Sequence, residues 1–200
     1  MSFDKELIAS KLRRWERYLG EYKLPAWDEI PDIGLYMEQV LSLMTKYLDY
    51  LPPELKEEEF ITAATINNYV RRRLMPEPIK KKYYRIHIAY LIMICTLKQS
   101  LSISTLHEMV PMDVDEEAFR SVYDTYVKRH GVATRYFISQ VQLISANILG
   151  YPHAVDIAVT NTEELVAMSA VISGFSKLLA EKLLLLNEKK IEDMNKDQLE

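Results

Sequence analysis

Residues 62–109 read TAATINNYVRRRLMPEPIKKKYYRIHIAYLIMICTLKQSLSISTLHEM. Thr62 is a good N-cap, and Ile66, Tyr69 and Val70 share one short apolar face, so the spacing predicts a helix over 62–74. Pro76 and Pro78 lack backbone donors and bias the residues before them away from αR, so PEPIKKK (76–82) cannot be helix interior. A short extended piece is expected around 79–84, the one stretch that suggests period-two alternation. Apolar residues resume at helical spacing over 86–97, and SISTLHEMV (102–110) reads as a short helix capped by Ser102 or Ser104.

Outward from this stretch the chain is also helical. Ile8, Leu12, Trp15 and Leu19 predict an amphipathic helix over 4–19, stopped at Gly20. PAWDEIPD (25–32) is a proline-punctuated connector. A second helix is expected from Asp32 as N-cap, with Ile33, Tyr36, Met37, Val40, Met44, Tyr47, Leu48 and Leu51 as its stripe and Pro52–Pro53 as its end. Residues 113–131 have an acidic first turn, a basic last turn and a terminal Gly131, which predicts one helix there and another over 133–149, with a break at Gly150–Tyr151–Pro152. Thr162 caps a long helix to about Lys190. Leu165, Ile172, Leu179 and Leu186 recur in it at seven-residue intervals, a half-kept heptad that makes this helix the candidate for dimerisation. The expected fold is mainly α, in three regions: 1–32, 33–110 and 111–200.

The 200-residue chain carries a formal net charge of −4, one cysteine and five scattered glycines. A single cysteine cannot form an intrachain disulfide, and the longest apolar run, Ile88–Leu97, is too short to span a bilayer. The protein therefore reads as cytoplasmic, with no membrane partner. Unclustered glycines exclude phosphate-cradling nucleotide loops. His107–Glu108 begins like a zinc-protease motif, but Pro111 stands where its second histidine belongs. Ala118 likewise stands where a calcium loop centred on Asp113 and Asp115 needs glycine. Cys95 lies in an apolar run and reads as a buried side chain. Neither a metal site, a cofactor nor an enzymatic activity is expected.

Charge is distributed unevenly. Residues 67–98 hold eight cations (Arg71, Arg72, Arg73, Lys80, Lys81, Lys82, Arg85, Lys98) against Glu77 alone, a local charge of +7, which leaves −11 on the rest of the chain. A localised basic face on an acidic body is the footprint of phosphate binding. Asn67, Asn68 and Arg71 are side chains able to contact base edges, and Thr65 accompanies them on the same helix. Helix 62–74 followed by a basic turn fits a recognition helix followed by a wing.

The stretch 62–109 resembles the DNA-binding domain of MerR-type bacterial regulators, in which a recognition helix ends in a leucine turn, a basic wing ends in Tyr-Arg, and an apolar helix precedes a short one opening on serine. The resemblance places Thr65, Asn67, Asn68 and Tyr69 on the recognition helix, Leu74 at the turn and Tyr84–Arg85 at the end of the wing. Asn67 stands where such chains usually carry Arg, Arg73 and Tyr83 where they carry Gly, and His87 where they carry Tyr. LPPELKEEEFI (51–61) replaces their tight turn. INNYV, KKKYYR and HIAYLI resemble more closely an uncharacterised family of Gram-positive bacterial proteins, a domain of unknown function, over roughly residues 25–110.

These readings imply a winged helix-turn-helix core in a transcriptional regulator, acting as a homodimer on double-stranded DNA, with any effector ligand unknown. Thr65, Asn67, Asn68 and Arg71 would face the major groove. Arg72, Lys80, Lys81, Lys82, Tyr84 and Arg85 would hold the backbone. The alternative is a helical interaction module whose basic segment docks an acidic protein partner. RNA binding is the weaker option, since the usual sheet aromatics are missing.

Overall fold

The computed structural model describes residues 5–49, 61–144, 167, 170–179, 186 and 189–191. Among these the fold is mainly α-helical: α1 (Lys5–Glu21), a 3-10 turn (Trp27–Glu29), α2 (Met37–Tyr47), α3 (Ala63–Arg71), α4 (Arg85–Leu97), α5 (Ile103–Met109) and α6 (Glu116–Ile144), with 170–179 also helical. None of the described helices is long and apolar enough to cross a membrane.

The apolar run of α4 becomes the centre of the molecule. Every residue from His87 to Leu97 is buried, because α2 packs on one side and α6 on another. Tyr90 stacks on Phe119 of α6 with ring centroids 3.7 Å apart, and its hydroxyl donates to the Pro111 carbonyl at 2.6 Å. α1 lies along α6 through Trp15, whose ring meets Phe137 edge-on. One cluster of buried residues runs from Leu7 through Val40, Tyr69 and Ile92 to Phe137 and Phe175, so the three sequence regions share a core. Tyrosine hydroxyls satisfy connector and helix-end carbonyls: Tyr123 donates to Pro25, Tyr22 to Tyr47 and Tyr18 to Asp49. A phenol buries its ring and supplies one donor where a chain crossing the core leaves a carbonyl unpaired.

Three boundaries differ from the sequence expectation. α2 begins at Met37 rather than after Asp32, and Ile33 and Tyr36 are exposed instead of joining its stripe. Leu35 exchanges both backbone hydrogen bonds with Tyr83 at 2.8 Å, which holds 33–36 extended; the helix starts one residue later, with Gln39 Oε1 accepting the Tyr36 N–H. The helices expected over 113–131 and 133–149 are, among the described residues, one 29-residue helix, Glu116–Ile144, capped by Asp115 and with Gly131 in its interior. Phe119, Tyr123, Tyr126, His130, Ala133, Phe137 and Val141 keep one buried stripe across that glycine, and this burial outweighs the roughly 1 kcal/mol that an interior glycine costs. α1 likewise passes through Gly20 to Glu21.

The heptad row is also used differently. Val171, Phe175 and Leu178 of segment 170–179 are buried in the chain's own core, and Ser100 Oγ donates to the Ala170 carbonyl at 2.7 Å. Ile172 and Leu179 pack half-buried against that core and Leu186 is buried within it. Of the described members of the row, Leu186 is thus packed inside the chain while Ile172 and Leu179 keep part of their surface open; an apolar period near seven serves either purpose. Leu165, Thr162 and the break at 150–152 lie outside the described residues.

Candidate nucleic-acid interface

Thr62 caps α3 as expected, its Oγ1 accepting the Thr65 N–H at 3.1 Å and pairing with Thr65 Oγ1 at 2.9 Å. Ile66 and Tyr69 anchor the helix in the core, which turns Asn67 outward. The helix stops at Arg71 in a Schellman turn. The Leu74 N–H donates to the Tyr69 carbonyl and the Arg73 N–H to the Val70 carbonyl, each at 2.9 Å, and Arg73 sits at φ 54°. Glycine is the usual residue there; an arginine holds it instead, fully on the surface.

Beyond the proline-bounded stretch the chain makes a two-residue hairpin. Ile79 and Lys82 exchange both backbone hydrogen bonds at 3.0 Å, and Lys80 and Lys81 form the tip at φ 49° and 64°. Positive φ at both central residues is what a type I′ turn needs, and Asn-Gly is its favoured pair. Two lysines occupy it here. The return strand pairs with the extended piece before α2 through Leu35 and Tyr83. Gly34 lies beneath it: a Cβ at 34 would meet Lys82 Cδ at 2.8 Å and Tyr84 Cζ at 3.1 Å. Lys82 crosses this glycine and ends over the Tyr36 ring, 5.3 Å from its centroid.

His87, buried at the start of α4, fastens the hairpin from behind. Its Nδ1 accepts the Tyr84 N–H at 3.0 Å, so the proton resides on Nε2, which donates to the Glu77 carbonyl at 3.0 Å. His87 does at this helix start what Glu or Gln does in a capping box.

The sequence-predicted site residues divide into groups. Asn67, Arg71, Arg72, Arg73, Lys80 and Lys81 are exposed on α3, its C-terminal turn and the hairpin tip. Asn68 is turned to its neighbours, its Oδ1 accepting from Arg71 Nη2 at 2.8 Å and Arg72 Nε at 3.3 Å. Thr65 is half-buried and engaged with Thr62. Tyr84 is half-buried against Gly34 and His87, and Tyr69 and Tyr83 are in the core. Arg85 faces inward: its side chain is 18% exposed, its Nε donates to the Ile30 carbonyl at 2.9 Å, and its Nη1 lies 3.9 Å from Asp28 and 3.8 Å from Asp32. Asp28 also holds Arg120 Nη2 at 2.6 Å, so Arg85 belongs to a charge network joining the connector to α4 and α6.

Two further groups have settled protonation states. Burial pushes the Cys95 thiol up to about 12, which keeps it protonated in the core. Burial likewise raises the Tyr69 phenol well above its usual range and keeps it protonated.

The sequence reading missed Gly34, Tyr36 and Ile79, which shape the hairpin face, and His87, which anchors it. Ile33–Gly34–Leu35–Tyr36 carried a usable signal, a glycine inside a branched and aromatic run of the kind that marks extended backbone with a close neighbour.

Comparisons with curated proteins and with solved structures returned no match. One family model does match, over residues 25–127, from the connector through the hairpin and α4 to the first half of α6. On that match the chain belongs to the DUF1836 family, a domain of unknown function.

Proposed function

We propose that the protein binds duplex DNA through a winged helix-turn-helix made of α2, α3 and the 79–83 hairpin, and acts as a transcriptional regulator. One observation carries this reading. Of the four non-glycine residues at positive φ among the described residues, three are the cations Arg73, Lys80 and Lys81. Each left-handed placement of such a side chain costs about 1 to 2 kcal/mol that glycine would avoid. Strain held at three exposed cations in one basic segment points to charge as the segment's purpose. α3 would then enter the major groove with Asn67 as the base reader and Asn68 holding Arg71 and Arg72 in place, while Lys80 and Lys81 contact phosphates. Arg85 has no part in the interface.

The test is a fluorescence-anisotropy titration of random-sequence duplex DNA at several salt concentrations, with the Lys80→Ala/Lys81→Ala variant alongside. The wild type should bind with a steep salt dependence, and the variant should lose about two from the slope of log affinity against log salt, near 0.9 per phosphate contact. Asn67→Ala should lower affinity for a selected site while leaving random duplex unaffected. Loss of wild-type binding to an excess of acidic polypeptide would favour the acidic-partner reading instead.

A further inference from the structure

The hairpin has a second property that phosphate contact does not use. Side chains alternate across paired strands, so bridge partners share a face. Leu35 and Tyr83 share the inner face and are buried. Ile79 and Lys82 share the outer face, and Tyr36, one residue beyond Leu35, joins them with its ring under the Lys82 ammonium. Ile79 is 58% exposed and Tyr36 57% exposed, two of the three most exposed large apolar side chains among the described residues. Ile79 stands directly before the two lysines of the tip. A branched apolar side chain is thus held out by a tight turn, flanked by cations and backed by the lysine-capped ring.

We infer that Ile79 is a wedge that enters the DNA minor groove at a base step, with Lys80 and Lys81 on the phosphates to either side, so that the protein bends the duplex it binds. This rests on the DNA-binding reading above. The groove is about 6 Å wide and excludes a helix, but once opened by a bend it takes the outer face of a two-residue hairpin, which carries Ile79, with the tip lysines on the backbone beside it. An apolar wedge unstacks a step and kinks the duplex, and pyrimidine–purine steps such as TpA yield most readily. The ligand class is therefore duplex DNA carrying a flexible step at the hairpin's contact, a preference expressed without any hydrogen bond to a base.

The experiment uses two duplexes of equal length and base composition, one with several TpA steps and one with none, each labelled at both ends for energy transfer. The full-length protein should bind the TpA duplex about tenfold more tightly and bring its ends closer, given the cost of unstacking a stiffer step. Ile79→Ala should abolish both the preference and the approach of the ends while keeping the salt slope. Ile79→Leu, which retains apolar bulk, should restore them. Because residue 79 is on the surface, unchanged thermal melting of both variants will show that they are folded. Salt-dependent binding with no change in end-to-end distance, or bending that survives Ile79→Ala, overturns the wedge and leaves the DNA-binding reading standing. No binding to either duplex at low salt overturns both and leaves the outer face as a surface for an acidic protein partner.

Discussion

His87 and Glu77, ten residues apart, are joined by a hydrogen bond from Nε2 to the Glu77 carbonyl at 3.0 Å, while the other ring nitrogen receives the Tyr84 N–H. One buried imidazole thereby fixes both ends of the stretch that carries the basic hairpin to the first turn of the central helix.

His87→Phe should leave that carbonyl and that N–H without partners. Each orphaned backbone group costs about 1 to 3 kcal/mol when buried. The variant is expected to lose about 2 kcal/mol or more in urea unfolding and to weaken DNA affinity without lowering the salt slope, since every cation is retained. A slope reduced in proportion to affinity would assign the histidine itself to the DNA contact.

Stability and binding should move in opposite directions at the hairpin tip. Lys80→Asn/Lys81→Gly installs the pair that the turn favours and should stabilise the fold by about 1 to 3 kcal/mol in chemical denaturation. The same variant should bind duplex DNA more weakly, with a shallower salt dependence. A gain in stability with undiminished binding would remove the lysines from the interface.

Arg85 offers the converse case. Arg85→Ala leaves the Ile30 carbonyl unpaired and removes a cation from beside Asp28 and Asp32, and should cost about 1 to 2 kcal/mol of stability. Its salt slope for DNA should equal that of the wild type. A slope lowered by about one would return Arg85 to the set of phosphate contacts.

Acid should expose the cost of His130. Its ring is buried between Tyr22, Tyr126 and Phe175, and burial pushes its pKa from 6.5 down to about 4. The unfolded chain takes up the proton first, so stability is full above pH 6.5, falls as the pH drops through the interval to about 4, and levels below it. The interval corresponds to about 3 kcal/mol. His130→Leu should therefore lose less stability than the wild type between about pH 7 and about pH 4.5, as read from urea midpoints. Equal losses would mean that carboxylates alone set the acid limit.

Much of this architecture was written locally. The Thr62 cap, the proline barrier at 76–78, the apolar run within 86–97 and the +7 segment each depend on residues close in sequence, where propensity, capping and charge act over one or two turns. The α-helical class and the bounds of α3 and α4 to within a few residues followed from them, whereas the extended piece expected at 79–84 is a hairpin that turns at Lys80–Lys81. Helix α6 escaped because Gly131 is a stop signal only when nothing buries the next turn, and Phe137 packs on Trp15, more than a hundred residues away. The start of α2 escaped because Leu35 pairs with Tyr83. The roles of individual site residues were decided the same way. Asn68 and Arg85 are chemically as suited to DNA as Asn67 and Lys81, but one is claimed by neighbouring arginines and the other by Ile30 and two aspartates. The local sequence could determine which cations exist and that a turn separates them. Which of them remain free for a ligand depended on long-range packing and hydrogen bonding, since a side chain's availability is set by the partners the fold brings to it.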